Sequence, residues 1–327
     1  MRFWRRWLAG GLLGLIGFSL VGPYVIPLPA QPDLDPAAVA PAGGRFLTAA
    51  GTRTFVEEAG PAAGPAVVLV HGFGGLTYTW RATLPALEAA GYHVLALDLR
   101  GFGLSDKRWA DDFSHAAQAD FVAAVMTAAG VERAVLVGHS LGGSVIAHFA
   151  LRHPERVQAL VFVDGAVRAP AAGSGSVPGQ PAWWRRVADF PPFQRWGQLA
   201  LRTFVTRARM TEVQRSAYYR QDIVTEDVIE GYLKVQKLKD WDLALLGVMR
   251  DGGQNTLPQP LAALTVPALV VWGEHDAWIP LASGQALHAA LPNSAWVVIP
   301  NSGHLPMEEA PAAFNAALLA YLAEAGQ

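Results

Sequence analysis

Short apolar runs alternate with helix-type runs along most of this chain, and that alternation restricts its fold more than any other feature. Each apolar run is four or five residues long and nearly uninterrupted by polar residues. Strands of this kind are buried on both faces, as in a parallel sheet. The predicted strands are Ala66–Val70, His93–Leu97, Ala134–Val137, Leu160–Val163, Ala268–Trp272 and Trp296–Ile299. The pattern therefore predicts an α/β fold with a doubly wound, mostly parallel sheet.

Helix-type runs fill most intervals between these strands, as right-handed βαβ crossovers require. They are Trp80–Ala90, Ala116–Ala129, Leu141–Arg152, Ser283–Leu291 and Glu308–Ala325. Two further β-type runs, Phe46–Ala49 and Arg53–Glu58, are typical of an opening hairpin. We expect one α/β domain over residues 45–327.

One interval breaks the alternation and predicts an insertion. About 100 residues separate Val163 from Ala268 without a strand-type run, too many for a structureless loop in a compact domain. The interval opens with a Pro/Gly/Ser-rich stretch and continues with helical, aromatic-rich segments. We expect a helical lid inserted at about 167–260. Its aromatic side chains either form the core of the lid or an apolar wall over a substrate, and the candidate wall residues are Trp183, Trp184 and Trp241.

The N-terminus has a separate character. Three arginines, Arg2, Arg5 and Arg6, precede an uncharged stretch over 7–30. As a helix, 24 residues reach about 36 Å, more than a hydrocarbon core of ~30 Å. Residues 1–30 thus predict a single-pass transmembrane anchor, with the arginines cytoplasmic and the α/β domain on the outer side. The alternative is a signal peptide cleaved near Ala30, giving a secreted or periplasmic protein. The Pro/Ala-rich residues 31–44 are typical of a linker.

Composition excludes several functions. The chain has 327 residues, a formal net charge of −2 and no cysteine. Thiol catalysis, disulfides and cysteine-based metal sites are therefore excluded, and no basic groove is available for nucleic acid. The histidines lack the paired spacing of a metal site, so we expect neither a metal nor another cofactor. These features leave the oligomeric state open.

A pentapeptide, Gly-His-Ser-Leu-Gly at 138–142, lies between a predicted strand and a predicted helix. A serine on such a tight turn stands clear of its neighbours and faces the N-terminus of the new helix. Serine needs a base, and the base needs an orienting group. Asp276 and His304 each follow a later strand, so all three side chains lie at the carboxyl ends of strands, where α/β sheets bind ligands. We predict a catalytic triad of Ser140, Asp276 and His304.

An oxyanion hole is the remaining requirement of acyl transfer. The loop His-Gly-Phe-Gly-Gly at 71–75 follows the strand Ala66–Val70. Its glycines allow the backbone N–H of Phe73 to face a substrate carbonyl, and the N–H of Leu141 supplies the second donor. One such donor typically contributes about 3–4 kcal/mol to transition-state stabilisation. We expect the side chain of His71 to brace this loop and that of His139 to face away from the site.

These motifs resemble the α/β-hydrolase superfamily, specifically its serine hydrolases with an HGFGG-type oxyanion loop and a GHSLGG elbow. The resemblance covers residues 45–325, and Asp-Leu-Arg-Gly-Phe-Gly-Leu-Ser at 98–105 is similar to the family's D-x-R-G-x-G-x-S loop. The membrane-tethered arrangement is similar to that of monoacylglycerol-lipase-type members. Some members place the triad acid after an earlier strand, which makes Asp164 the competitor of Asp276.

The motifs and the resemblance together indicate a serine hydrolase that cleaves a small-molecule carboxylic ester through an acyl-enzyme. A membrane tether and an aromatic lid favour a hydrophobic, lipid-like ester. Dehalogenases and epoxide hydrolases of this fold need a carboxylate nucleophile, and position 140 is serine. C–C bond hydrolases and cofactor-free perhydrolases use the same triad and remain alternatives, as does a ligand sensor built on this fold.

Overall fold

The computed structural model describes residues 2–170, 182–252 and 255–325, and its centre is an eight-stranded sheet. The strands are β1 (Gly44–Ala49), β2 (Thr52–Ala59), β3 (Ala66–Val70), β4 (His93–Leu97), β5 (Ala134–His139), β6 (Val157–Val163), β7 (Ala268–Gly273) and β8 (Ser294–Ile299). Their order is β1-β2-β4-β3-β5-β6-β7-β8. Strands β3 to β8 are parallel, while β1 and β2 form an antiparallel hairpin at one edge. The predicted doubly wound, mostly parallel sheet is confirmed.

Both faces of the sheet are covered by apolar packing. In β3, Val68 and Val70 face one core, and Val67 and Leu69 face the other. All four side chains are completely buried. This is why the strand-type runs are apolar at every position instead of alternating with polar residues.

Helices of the α/β domain flank this sheet. They are α3 (Leu84–Ala89), α4 (His115–Ala128), α5 (Leu141–Arg152), α11 (Leu281–Ala290), α12 (Pro306–Glu309) and α13 (Pro311–Ala325), with α1 (Arg2–Val25) and α2 (Pro36–Val39) preceding the sheet. Two of the predicted helices have different boundaries in the structure. The run 80–90 begins as a 3-10 turn at Thr77–Trp80, and α3 starts only at Leu84. The run 308–325 is split, because the residue before Pro311 is forced out of the helical conformation.

The described residues of the interval between β6 and β7 form five further α-helices. They are α6 (Ala182–Ala188), α7 (Pro191–Phe204), α8 (Arg207–Ser216), α9 (Glu226–Leu233) and α10 (Trp241–Asp251). The two ends of this helical insertion are joined where the Leu257 N–H donates to the Arg168 carbonyl at 2.8 Å. The Pro/Gly/Ser-rich stretch at 171–181 lies outside the described residues.

The N-terminal segment lies against the insertion. Helix α1 contacts α7, with the rings of Phe18 and Trp196 5.4 Å apart. Residues 31–44, the predicted linker, also contact the insertion. The Leu34 N–H donates to the Lys237 carbonyl at 2.8 Å, and the Gln31 side chain accepts a hydrogen bond from the indole of Trp241. Within the described ranges, no helix combines the length and hydropathy that crossing a bilayer requires.

Candidate active site

Ser140 stands on a sharp turn between β5 and α5. Its φ of 50° and ψ of −115° are a conformation that non-glycine residues rarely adopt and that active sites retain. The glycines on either side allow the close approach that the turn needs. A Cβ at Gly142 would lie 2.4 Å from the Val70 carbonyl oxygen, and one at Gly138 would lie 2.4 Å from that of Gly142. The spacing Gly-x-Ser-x-Gly is thus a steric requirement of this turn.

His304 and Asp276 form a buried hydrogen-bonded pair. The Nδ1 of His304 lies 2.8 Å from Oδ2 of Asp276. The other carboxylate oxygen, Oδ1, accepts from the backbone N–H groups of Trp278 and Ile279 at 2.8 and 2.9 Å. These bonds fix the carboxylate, which in turn holds the imidazole with Nδ1 protonated and Nε2 as its acceptor.

The pair also keeps Asp276 ionised. Burial by itself would raise the pKa of Asp276, but the hydrogen bond and charge of His304 and the N–H of Ile279 outweigh that effect. The pKa of Asp276 is therefore lowered. The anion can stabilise an imidazolium that forms during a reaction.

A small cavity brings the predicted groups together. It has a volume of about 40 Å³, and Ser140, His304, Phe73 and Trp278 are among the residues that line it. Leu141 is the first residue of α5, where backbone N–H groups have no acceptor within the helix. The nucleophile, the base and the oxyanion loop predicted from the sequence thus meet at one place.

His71 holds the loop that contains Phe73, as expected. Its Nδ1 donates to the Gly72 carbonyl at 2.7 Å, and its Nε2 accepts from the Leu99 N–H at 3.0 Å. Burial lowers the pKa of His71 to about 4, so the ring is neutral and can both donate and accept.

His139 does not face away from the site. Its ring packs on that of His304 with centroids 4.8 Å apart, and its Nε2 donates to the His304 carbonyl at 2.7 Å. Burial, and then the charge of His304, lower the pKa of His139 to about 3. The neutral ring therefore supports the backbone of the predicted base, which sequence spacing alone did not indicate.

Asp164, the competing carboxyl, lies behind the His304–Asp276 pair. It is fully buried, and its Oδ1 accepts from the Gly273 N–H at 3.0 Å. One side-chain atom each of Asp164, Asp276 and His304 lie within 4.8 Å of one another. Burial, followed by the charge of Asp276, raises the pKa of Asp164 well above its ordinary value. Asp276 is the carboxylate that binds the imidazole, and burial of Asp164 favours its neutral form.

Two glutamates that the sequence did not single out tie the insertion to the site. Glu309 accepts from the backbone N–H of Gly303 at 2.7 Å and from that of Arg220 at 2.8 Å. In addition, the His304 N–H donates to the Ala217 carbonyl at 2.8 Å. The loop of the predicted base is thereby fixed to the segment between α8 and α9.

The neighbouring Glu308 anchors two tyrosines of the insertion. Its side chain accepts from Arg81 and from the hydroxyl of Tyr218, both at 2.6 Å, and also from the hydroxyl of Tyr232. Tyr232 lines the cavity over Ser140. The only sequence signal for this role was an acidic pair four and five residues beyond His304.

A second, largely apolar cavity of about 120 Å³ lies between the oxyanion loop and the insertion. Of the three candidate wall residues, Trp241 lines this cavity. Trp183 and Trp184 pack against each other, and Trp184 also packs on Phe193. Within the described part of the chain, neither of them is among the residues that line this cavity or the one over Ser140.

The loop at 98–105 forms part of the wall of this second cavity. Buried Asp98 accepts from the backbone N–H groups of Thr77 and Leu104, both at 2.6 Å. Gly103 has φ of 50°, and a Cβ there would lie 2.0 Å from an Asp98 carboxylate oxygen. The D-x-R-G-x-G-x-S pattern is therefore a scaffold that shapes the cavity wall.

The fold, the sharp turn at Ser140 and the buried His304–Asp276 pair together define a hydrolase of the α/β fold. Comparison with known proteins agrees with this class. Residues 65–311 match the alpha/beta hydrolase fold family, so the chain belongs to it. The uncharacterized hydrolase YugF of Bacillus subtilis is 27% identical over 267 residues, which cover 82% of this chain and 93% of that protein. Epoxide hydrolase A of Mycobacterium tuberculosis is 40% identical over 147 residues, 44% of each chain. A thermophilic esterase from Thermogutta terrifontis superimposes with a TM-score of 0.67 at 26% identity, covering 88% of this chain and all of the esterase.

Proposed function

We propose that this protein is a serine hydrolase that cleaves carboxylic esters through an acyl-enzyme. The observation that carries the proposal is the buried His304–Asp276 hydrogen bond in the wall of the cavity that also contains Ser140. A serine on a strained elbow, an imidazole oriented by a carboxylate and free amides nearby are the parts that acyl transfer needs.

In the proposed reaction, Oγ of Ser140 attacks the ester carbonyl while Nε2 of His304 takes the hydroxyl proton. The N–H groups of Phe73 and Leu141 stabilise the oxyanion. Collapse of the tetrahedral intermediate breaks the ester C–O bond, and His304 returns its proton to the leaving alcohol. Water, deprotonated by the same imidazole, then releases the carboxylic acid and restores Ser140.

Ester hydrolysis fits this site better than epoxide opening does. The likeness to epoxide hydrolase A covers 44% of the chain, and epoxide hydrolases of this fold need a carboxylate at the position of Ser140. Among the alternatives, C–C hydrolysis and peracid formation use the same serine and base. A ligand sensor would bind an ester with turnover slower than about one per minute, against a median enzyme kcat of ~10 s⁻¹.

The proposal is tested by labelling the purified protein with a fluorophosphonate. The probe should modify Ser140 stoichiometrically, as read by mass spectrometry, and should abolish turnover of p-nitrophenyl butyrate. Labelling without measurable ester turnover would favour the C–C, perhydrolase or sensor alternatives. No labelling of the folded protein would contradict the proposal altogether.

We also propose that the N-terminal helix attaches the protein to a membrane, with the catalytic domain on the outer side, although no helix of the described residues meets the length and hydropathy of a spanning helix. In support, α1 exposes large apolar side chains, including Trp4, Trp7, Leu13 and Phe18. Arginines near its start would favour retention of this end on the cytoplasmic side.

For the full-length protein expressed in bacteria, we expect recovery in the membrane fraction after washing with alkaline carbonate. Protease added to spheroplasts should then digest the catalytic domain. Sequencing of the mature N-terminus provides the control. A soluble protein that starts after residue 30 would contradict attachment and would indicate a cleaved signal peptide.

A further inference from the structure

The second cavity has the position and chemistry of an acyl-binding site. We infer that it holds the acyl chain of an ester bound at Ser140 and that it suits short to medium chains, with an optimum near six carbons. This inference rests on the proposed ester hydrolysis and adds the class of substrate.

The cavity adjoins the site of the chemistry. The space over Ser140 and the 120 Å³ cavity share five lining residues, namely Phe73, Gly74, Gly75, Gln214 and Tyr232. An acyl group attached to Ser140 and held by the N–H of Phe73 would therefore pass the oxyanion loop directly into this cavity.

The direction of proton transfer decides which half of the ester enters. The leaving alcohol takes its proton from His304, so the alcohol must lie on the side of that ring. Trp278 and Leu305 line the small cavity on this side, and the rings of Trp278 and His304 are 5.1 Å apart. Neither His304 nor Trp278 lines the second cavity as described. The acyl group, on the opposite side of the carbonyl, is the half that the second cavity receives.

The lining is suited to a hydrocarbon chain. Its apolar side chains come chiefly from the insertion and include Val205, Met210, Leu233, Val235, Leu245 and Val248. The one lysine among the lining residues, Lys107, donates to the carbonyl oxygens of Gly103 and Ser105 at 2.6 and 2.8 Å, so its ammonium is already paired.

The volume of the cavity limits the chain. A dry apolar cavity of about 150 Å³ accommodates one benzene molecule, that is, six carbons. The 120 Å³ cavity therefore has room for about five carbons beyond the carbonyl. Longer chains must project out of the cavity and gain little more from burial.

The test is a series of p-nitrophenyl esters from acetate to palmitate with the full-length protein. We expect kcat/KM to rise about fourfold per methylene as far as hexanoate and to rise no further for longer chains, so that palmitate is no better than hexanoate. Leu245→Trp should move the optimum to acetate or butyrate, and Leu245→Ala should move it to octanoate or longer. A second blocking variant, Val235→Phe, covers the case in which Leu245→Trp does not fold.

Leu246→Ala is the matched control. Leu246 follows Leu245 on α10, is also half-buried, and contacts Gly197 of α7 outside the cavity. Leu246→Ala should leave the dependence of kcat/KM on acyl chain length unchanged. A wild-type preference for palmitate, or variants at Leu245 that alter all esters equally, would overturn the inference. Fluorophosphonate labelling of Ser140 separates the two levels, because it succeeds if the triad is right even where the chain-length profile fails.

Discussion

Replacing Ser140 with alanine is expected to lower kcat for p-nitrophenyl esters by about a million-fold. Without the hydroxyl, His304 has no nucleophile to activate and no acyl-enzyme forms. The fold should be unaffected, because alanine preserves the Cβ and the turn is fixed by Gly138 and Gly142. Steady-state kinetics measures the loss, and circular dichroism with thermal unfolding checks the fold.

The chain contains its own control for this experiment. Ser144 is four residues further along α5, fully buried, and its Oγ lies 2.7 Å from Nδ1 of His115. Ser144 and His115 thus form another serine–histidine pair, away from the oxyanion loop. Ser144→Ala should cost about 1 kcal/mol of stability through the lost hydrogen bond and leave kcat within about twofold. Turnover that survives in Ser140→Ala, or disappears in Ser144→Ala, would contradict the assignment of the nucleophile.

The sheet could be predicted from the sequence because its strands are apolar on both faces. The runs Ala66–Val70 and His93–Leu97 coincide with β3 and β4. Strand β6 begins at Val157, earlier than predicted. The prediction missed its start because Gln158, half-buried near the beginning of the strand, interrupts the apolar pattern. Helix boundaries at Leu84 and Pro311 depend on local turns and prolines, which periodicity alone does not resolve.

The His304–Asp276 pair was also within reach of the sequence, because each residue directly follows a strand and parallel strands end at one edge. The contacts that support this pair could not be predicted from the sequence. Glu309 meets Arg220 from 89 residues away, and Asp164 meets the Gly273 N–H from 109 residues away. Such contacts depend on how the insertion and the loops pack. No local pattern distinguishes Glu309 from an acid at the surface, and the position of Asp164 after a strand does not reveal its contact with Gly273.

The two acids beside the imidazole should respond very differently to the same substitution. Asp276→Asn is expected to lower kcat by about ten-thousand-fold, because an amide holds the imidazole in the wrong tautomer and cannot stabilise its cation. Asp164→Asn should stay within about threefold of wild type, since a neutral amide resembles the neutral acid and still accepts from Gly273. Its kcat/KM profile against pH should rise at the same pH as that of the wild type.

The free energy of unfolding provides the second measurement for this pair. The pKa of Asp164 is raised in the folded state, so folding takes up a proton above the ordinary pKa of an aspartate. The contribution of Asp164 to stability is therefore complete at low pH and is lost as pH rises towards its folded pKa. Asp164→Asn removes this loss. The free energy of unfolding of the variant, relative to that of the wild type, should therefore increase by up to about 1.4 kcal/mol per pH unit above pH 4.

Urea unfolding of both proteins between pH 5 and 8 measures that difference, because the other titrating groups are common to both and cancel. An ionised Asp164 would give the opposite results. Its negative charge would then favour the imidazolium of His304, so Asp164→Asn would move the rise in kcat/KM to lower pH and leave no pH-dependent gain in stability. Either outcome would show that Asp164 is a second charged acid, besides Asp276, that stabilises the imidazolium of His304.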